Sequence, residues 1–255
     1  MTIFRERIAY YVAFALGGAW FLFCSGLGIL WLIVRPGNRQ TLYVFGKVFC
    51  RVFVKGAGCR VEVEHQERIE ECRPCVIVAN HQSFVDVATF GSFFPRRTVS
   101  AGKREIGRIP FFGWFYRLSG NLIIDREHAR SARDSLASAA ETIRNEKISV
   151  WFMPEGHRNT SGTLLPFKSG AFRLAIAAGV PILPIVAAPI SAVIDPPGRR
   201  LRRGTLRVRV LPPVPTAGLG PKDVAALSER VRAAMQAASD DLRAGGAGTP
   251  AVDAP

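Results

Sequence analysis

The sequence predicts an α/β fold, a largely parallel central sheet flanked by helices, behind an N-terminal membrane-anchoring helical segment. Three observations lead there. From about residue 60 onward, short apolar runs of strand length alternate with helix-periodic stretches, the pattern of units built around a parallel sheet. Several of those runs end in polar residues of catalytic type, as strands of open α/β sheets do at their carboxyl ends. Residues 8–34 carry no charged side chain over 27 positions, long enough at about 1.5 Å per residue to span a bilayer with some tilt.

That uncharged stretch is too long for a signal-peptide core and lacks a small-residue cleavage site after it, so it reads as a retained anchor. Gly17-Gly18, Gly26 and Gly28 leave a second arrangement open, two shorter helices dipping into one leaflet. Arg35, Arg39, Lys47, Arg51 and Lys55 crowd its carboxyl side, against Arg5 and Arg7 with Glu6 on the other. The positive-inside rule then places the main domain on the cytoplasmic side. The expected division is an anchor over 1–45, one large domain over 46–244, and a small-residue, proline-containing tail over 245–255 expected to be disordered. The net charge is +14, and only six of the 34 basic residues are Lys, a balance that favours anionic surfaces.

The elements follow in order. Residues 60–65 alternate apolar and charged, as a half-buried strand does. Residues 75–79 form a wholly apolar run, then a turn, then a helix that starts near Ser83 and ends near Phe94. Residues 97–101 read as a strand leading to Lys103 and Glu105. Residues 111–116 hold five aromatics in six positions, too many for one face of a soluble helix, so part of that segment lines an apolar pocket or sits at a membrane surface. Leu122-Ile123-Ile124 is a short strand with Asp125 and Arg126 at its end. Ala132, Leu136, Ala139 and Ile143 recur at helical spacing over 128–146. Residues 148–153 form a buried strand that delivers Glu155, Gly156, His157 and Arg158. A helix to about Ala178 precedes a strand over 180–186, and three prolines in the uncharged stretch 174–190 argue against a second span. Residues 206–211 alternate with Arg207 and Arg209 and read as an edge strand, and 222–242 as a surface helix.

His81 is the first candidate base. In a continuous helix residues five apart lie roughly 140° around the axis and do not meet, so His81 belongs in the turn before the helix. Ser83 and Asp86 read as a capping box, and from that first turn Asp86 can reach back to the imidazole. The bland alternative is that Asp86 only caps the helix. Arg126 and Arg158 are natural receptors for a phosphate monoester, and a base beside phosphate receptors suggests a phosphorylated alcohol as substrate. Five cysteines suit a reducing compartment. Cys72-Arg73-Pro74-Cys75 is a lone C-x-x-C without a second pair, so neither a metal nor another cofactor is expected.

At this point the sequence resembles the glycerolipid acyltransferase family, specifically the bacterial 1-acyl-sn-glycerol-3-phosphate acyltransferases. Its asparagine-histidine-four residues-aspartate block matches residues 80–86, and its apolar pair with aspartate-arginine matches Ile123-Ile124-Asp125-Arg126. Its phenylalanine-x-proline-glutamate-glycine-threonine-arginine block matches residues 152–158, with His157 where threonine is usual. An apolar-proline-apolar-x-proline strand matches residues 180–184, and Lys103 with Glu105 and Phe167-Lys168-Ser169-Gly170 resemble the family's intervening segments. Four blocks in the family's order are far more specific than one.

The resemblance implies an acyltransferase that moves a fatty acyl group from acyl-CoA or acyl-carrier protein to the sn-2 hydroxyl of a lysophospholipid acceptor. His81 would be the general base, oriented by Asp86. Arg126, with Glu155, Gly156 and Arg158, would bind the acceptor phosphate, and Lys103 is a weaker candidate for it. A lyso-ornithine lipid or glycerol 3-phosphate is the alternative acceptor. From a different class, a basic membrane-tethered binding module is the competing reading, but the arginines are dispersed and the aromatics lie in apolar runs. No nucleic-acid partner is therefore expected.

Overall fold

The computed structural model describes residues 2–124, 129–195 and 197–245. Asp125, Arg126 and His128, and the tail beyond Gly245, lie outside the described residues.

The β2 strand, Val76–Ala79, shows why the sheet sits where it does. Its side chains alternate between two cores: Val76 and Val78 face one, Ile77 and Ala79 the other, and all four are buried. A strand covered on both faces needs apolar residues on both, which is why the run does not alternate with polar ones. Beside it β5, Ser149–Phe152, and β6, Ile182–Ala187, are buried throughout in the same way. With β1 (Cys59–Glu64), β3 (Thr98–Lys103), β4 (Leu122–Ile124) and β9 (Gly204–Val210) they form a seven-stranded sheet in the order β1-β9-β6-β2-β5-β3-β4. Strands β6, β2, β5, β3 and β4 run parallel, and β9 pairs antiparallel to β6 and parallel to β1.

One face is covered by α7 (Ala129–Glu146), α8 (Gly170–Ala178) and α9 (Val224–Ala244), which supply Ala139, Ile143, Phe172, Val231 and Met235 to the core. The other receives Phe90, Phe93 and Phe94, from and just after α5 (Asp86–Gly91), packed on Trp151 of β5.

The edge-strand expectation for 206–211 is overturned: β1 holds the edge and β9 lies inside the sheet. The alternating arginines that suggested solvent exposure are answered from within. Arg209 is fully buried and donates to Glu64 on β1 and Asp241 on α9, so a buried charge is matched by two carboxylates.

The N-terminal stretch is one continuous helix, α1 (Thr2–Val34), which removes the arrangement of two short helices. Its glycines serve as notches and do not break it. A Cβ at Gly17 would collide with the ring of Phe53, and one at Gly28 would stand 2.5 Å from that of Phe115. α1 packs in part on a second helical segment, α2 (Thr41–Phe45), a π turn (Gly46–Cys50) and α3 (Arg51–Gly56). Phe21 packs on Phe45 and Phe49, and Phe14 on Phe53 and Phe84. Near the start of α1, Glu6 pairs with Arg202 and Tyr11 accepts from Arg199, and near its end Leu32 is wholly buried. The helix therefore lies along the domain over most of its length. Its other side is apolar and uncovered, with Phe4, Leu16, Phe23, Leu30 and Trp31 all exposed. By length and composition α1 is sufficient to cross a membrane.

Candidate active site

The chain leaves β2 at Ala79 and is gripped at once. The Asn80 carboxamide takes the N–H of Ala187 at 2.8 Å and donates to its carbonyl at 3.0 Å, tying the loop to the end of β6. Gln82 donates to the carbonyls of Ala187 and Ala188 and accepts from the N–H of Ile190. From the other side comes Glu155, just past β5 and 2 % exposed. Its Oε1 accepts the N–H of His81 at 2.8 Å, and its Oε2 accepts the N–H of Leu165 at 3.0 Å and the Asn159 amide at 3.3 Å. The N–H of Asn159 closes the ring by donating to the His81 carbonyl at 2.8 Å. Both main-chain polar groups of His81 are thus fixed from the neighbouring strand end.

The His81 side chain is fixed as well. Asp86 Oδ2 lies 2.8 Å from His81 Nδ1 and also accepts the N–H groups of Gln82 at 2.6 Å and Ser83 at 2.8 Å. Ser83 Oγ accepts the N–H of Val85 at 3.3 Å. The expected capping box is only half formed: the helix begins at Asp86, later than Ser83, without a side-chain cap, while the Asp86 carboxylate, 1 % exposed, closes the turn onto the Ser83 N–H and meets the imidazole. An ionised carboxylate only accepts hydrogen bonds, so the Nδ1–H tautomer is held and Nε2 is left with its lone pair.

His81 opens into a cleft of about 540 Å³. Gly156, His157 and Arg158 stand on it with His81, and Phe45, Phe90, Ile106, Phe112 and Trp151 line its apolar part. Gly156 has φ of +76°, a left-handed conformation that glycine adopts without strain, so the loop turns at once after Glu155. At the cleft Phe84, Val87 and Ile109 are apolar and exposed, and beside it Phe111 and Trp114 also face outward. The aromatic segment 111–116 is thereby divided: Phe112 and Tyr116 line the cleft, Phe115 is in the core, and Phe111 and Trp114 are on the surface.

A larger cleft, about 870 Å³, lies on the other side of the loop against Gln82, Thr160, Ser161 and Arg243. It shares Phe84 and Arg158 with the first, but His81 does not line it. Volume alone would select the larger cleft; an imidazole held by a buried carboxylate selects the smaller.

Of the residues singled out from sequence, the structure brings together His81, Asp86, Gly156 and Arg158, with Glu155 directly behind them. Lys103 closes β3, two strands away from β2, and Arg126 lies outside the described residues. Gln82 and Asn159 were not singled out. Both are carboxamides in the loops that follow β2 and β5, next to residues already singled out, the signal by which they could have been found. Cys72 and Cys75 are buried free thiols that hydrogen-bond each other, which together with burial holds the Cys75 thiol well above its usual range.

Comparison with known proteins adds a second line. A profile of the family described as Acyltransferase matches residues 60–188. The human 1-acyl-sn-glycerol-3-phosphate acyltransferase alpha is 37% identical over 93% of this chain and 85% of its own length. The Escherichia coli 1-acyl-sn-glycerol-3-phosphate acyltransferase is 35% identical over 82% of this chain and 84% of its own. The crystal structure of the 1-acyl-sn-glycerophosphate (LPA) acyltransferase from Thermotoga maritima shares the fold, with a TM-score of 0.76 at 23% identity, covering 96% of this chain and 98% of that one.

Proposed function

The chain belongs to the acyltransferase family, and from that premise we propose that it acylates the sn-2 hydroxyl of 1-acylglycerol 3-phosphate, using acyl-CoA or acyl-carrier protein and giving phosphatidic acid for phospholipid synthesis. The observation that carries this reading is the His81–Asp86 pair at the end of β2, opening onto a cleft that is apolar inside and cationic at Arg158.

In this reading the chemistry runs directly between the two substrates. His81 Nε2 takes the proton of the acceptor hydroxyl as its oxygen attacks the thioester carbonyl, and Asp86 stabilises the imidazolium that forms. The tetrahedral oxyanion collapses, the C–S bond breaks, and the thiolate leaves with the proton from His81. The apolar part of the cleft takes an acyl chain. Arg158 binds the acceptor phosphate with Arg126 and Lys103, and among the described residues no carboxylate pairs with Arg158. His157, exposed at the same cleft, can donate to that phosphate as a threonine would. Glu155 is a positioning residue, because protein donors occupy both its oxygens, and Gly156 provides the turn that brings Arg158 round.

Residues 1–45 act as the membrane anchor and 46–244 as the catalytic domain. Because α1 lies against the domain from Glu6 to Leu32, a helix crossing the bilayer would drag charged surface in with it, at a cost of several kcal/mol per charge, about 2.5–3.5 on insertion scales. We therefore place α1 in one leaflet, exposed side down, on the cytoplasmic side of a bacterial inner membrane. The lysolipid then enters beside Phe84 and Ile109 without leaving the bilayer.

The test is transfer of labelled acyl groups from acyl-CoA and acyl-carrier protein to lysophosphatidic acid, with lyso-ornithine lipid in parallel, for wild type and His81→Ala. Transfer to lysophosphatidic acid that vanishes in the variant supports acceptor and base together. Transfer to the phosphate-free acceptor alone would keep the base and discard the phosphate pocket.

A further inference from the structure

The outward side of the second helical segment gathers positive charge around one ring. Tyr43, Lys47 and Arg51 recur every four residues, which sets them side by side along the segment. Arg96, in the turn before β3, closes on the same place. Its Cζ lies 5.1 Å from the Tyr43 ring centroid, Lys47 Nζ lies 5.3 Å from it, and Arg51 Nε donates to the carbonyl of Ser92 at 2.8 Å. Many guanidinium groups elsewhere meet a carboxylate, as Arg39 meets Glu146, Arg73 meets Glu70 and Arg202 meets Glu6. Among the described residues none of Lys47, Arg51 and Arg96 is within ion-pair distance of one.

The crowding shows in the groups themselves. Burial, then repulsion from Arg51 and Arg96, holds the Lys47 ammonium below its usual range, and the Arg96 hydrogen bond pulls the Tyr43 phenol down. Glu70 attracts Arg96 from beyond ion-pair distance, but three cations brought together still repel one another, and an anion supplied from outside relieves that.

The neighbouring stripe says where the anion comes from. One residue further along each turn stand Val44, Val48 and Val52, exposed by 52%, 44% and 51%, while Phe45, Phe49 and Val54 on the opposite side are buried. A helix with an apolar stripe in the acyl region and cations along its rim holds those cations at headgroup depth.

We propose that Tyr43, Lys47, Arg51 and Arg96 form a receptor for the phosphate of an anionic phospholipid headgroup, separate from the catalytic cleft. The lysine and the two arginines supply the charge, and the Tyr43 ring gives Lys47 and Arg96 a face to rest on. The same segment turns Phe45 and Gly46 inward to wall the catalytic cleft, so the lipid that docks this helix also seats that wall. The inference rests on the leaflet-docked reading above, and its test separates the two.

Full-length protein is sedimented with vesicles of phosphatidylcholine, and of phosphatidylcholine with a minor fraction of phosphatidylglycerol. Wild type is compared with Lys47→Gln/Arg51→Gln/Arg96→Gln and with a control of equal charge loss, Lys147→Gln/Arg173→Gln/Lys222→Gln, each first checked for cooperative unfolding. Anionic lipid is expected to raise wild-type partitioning about tenfold or more, at about 1 kcal/mol per basic residue near the surface. The control keeps that gain, the site variant loses most of it, and all three bind neutral vesicles alike. Equal loss in both variants means bulk charge and overturns the site. Competition by inorganic phosphate without any gain from anionic vesicles makes it a free-anion site and overturns the lipid assignment. Binding to neutral vesicles with no anionic gain discards the site and keeps the docked reading; no binding to either vesicle discards both.

Discussion

At the end of β2 both main-chain polar groups of His81 are held by hydrogen bonds, to Glu155 and from Asn159; along α1 the holding is done by phenylalanine rings seated against Gly17 and Gly28. The first region is built from directional bonds within 2.6–3.3 Å, the second, beyond two polar contacts near its start, from shape and dispersion. Directional bonds fix an atom to a fraction of an ångström, as a base must be fixed. Packing fixes which way a surface faces, which is all a docking helix needs. The difference teaches that the two regions should fail separately and in different observables.

The sharpest break is His81→Ala, expected to lower kcat by at least about 10³-fold with vesicle partitioning unchanged; a variant that kept a tenth of its rate would end the general-base role. Asp86→Asn comes next, at about 10²-fold or more, since an amide oxygen can take the place of Oδ2 but brings no negative charge to stabilise the imidazolium that forms on His81. Glu155→Gln sharpens the division between positioning and contact. An N–H₂ group turned toward backbone donors leaves one buried donor unsatisfied at about 1–3 kcal/mol, so kcat should fall roughly tenfold with KM for both substrates nearly unchanged. A selective rise in acceptor KM would return Glu155 to the substrate pocket.

On the packing side, Gly28→Leu should cost about 1–3 kcal/mol through the clash with Phe115, read in thermal unfolding, whereas Gly18→Leu, with nothing within 4 Å of its added Cβ, should leave stability unaltered. The smallest effect is expected at the cleft wall. Ser100 of β3 also lines the cleft that holds His81, and Ser100→Leu should shift the preferred acyl chain toward shorter donors by a few-fold in kcat/KM, measured by competition between chain lengths.

The His81–Asp86 edge was legible because the pair is encoded at short range. The five-residue offset from His81 to Asp86 forces a turn, and the apolar run before it forces a buried strand, so the sheet edge and the dyad follow from one local stretch. What escaped is long-range. Nothing near Arg209 in the chain announces Glu64, 145 residues away, or Asp241, 32 residues away, so β9 read as an edge. The glycines of α1 looked like breaks because Phe53 and Phe115, which fill them, lie far along the sequence. Glu155 was recognisable as important, but only the structure distinguishes a carboxylate facing a ligand from one facing backbone.

Those two notches set how far the leader can be exchanged. A foreign transmembrane segment grafted ahead of residue 35 would supply oiliness and length, yet present no recess to the rings of Phe53 and Phe115, leaving two hydrophobic pegs without sockets. Such a chimera would reach the membrane and sit on it loosely, its entrance no longer registered against the lipid. The helix is thus fitted to the domain, its inner side recessed for two rings.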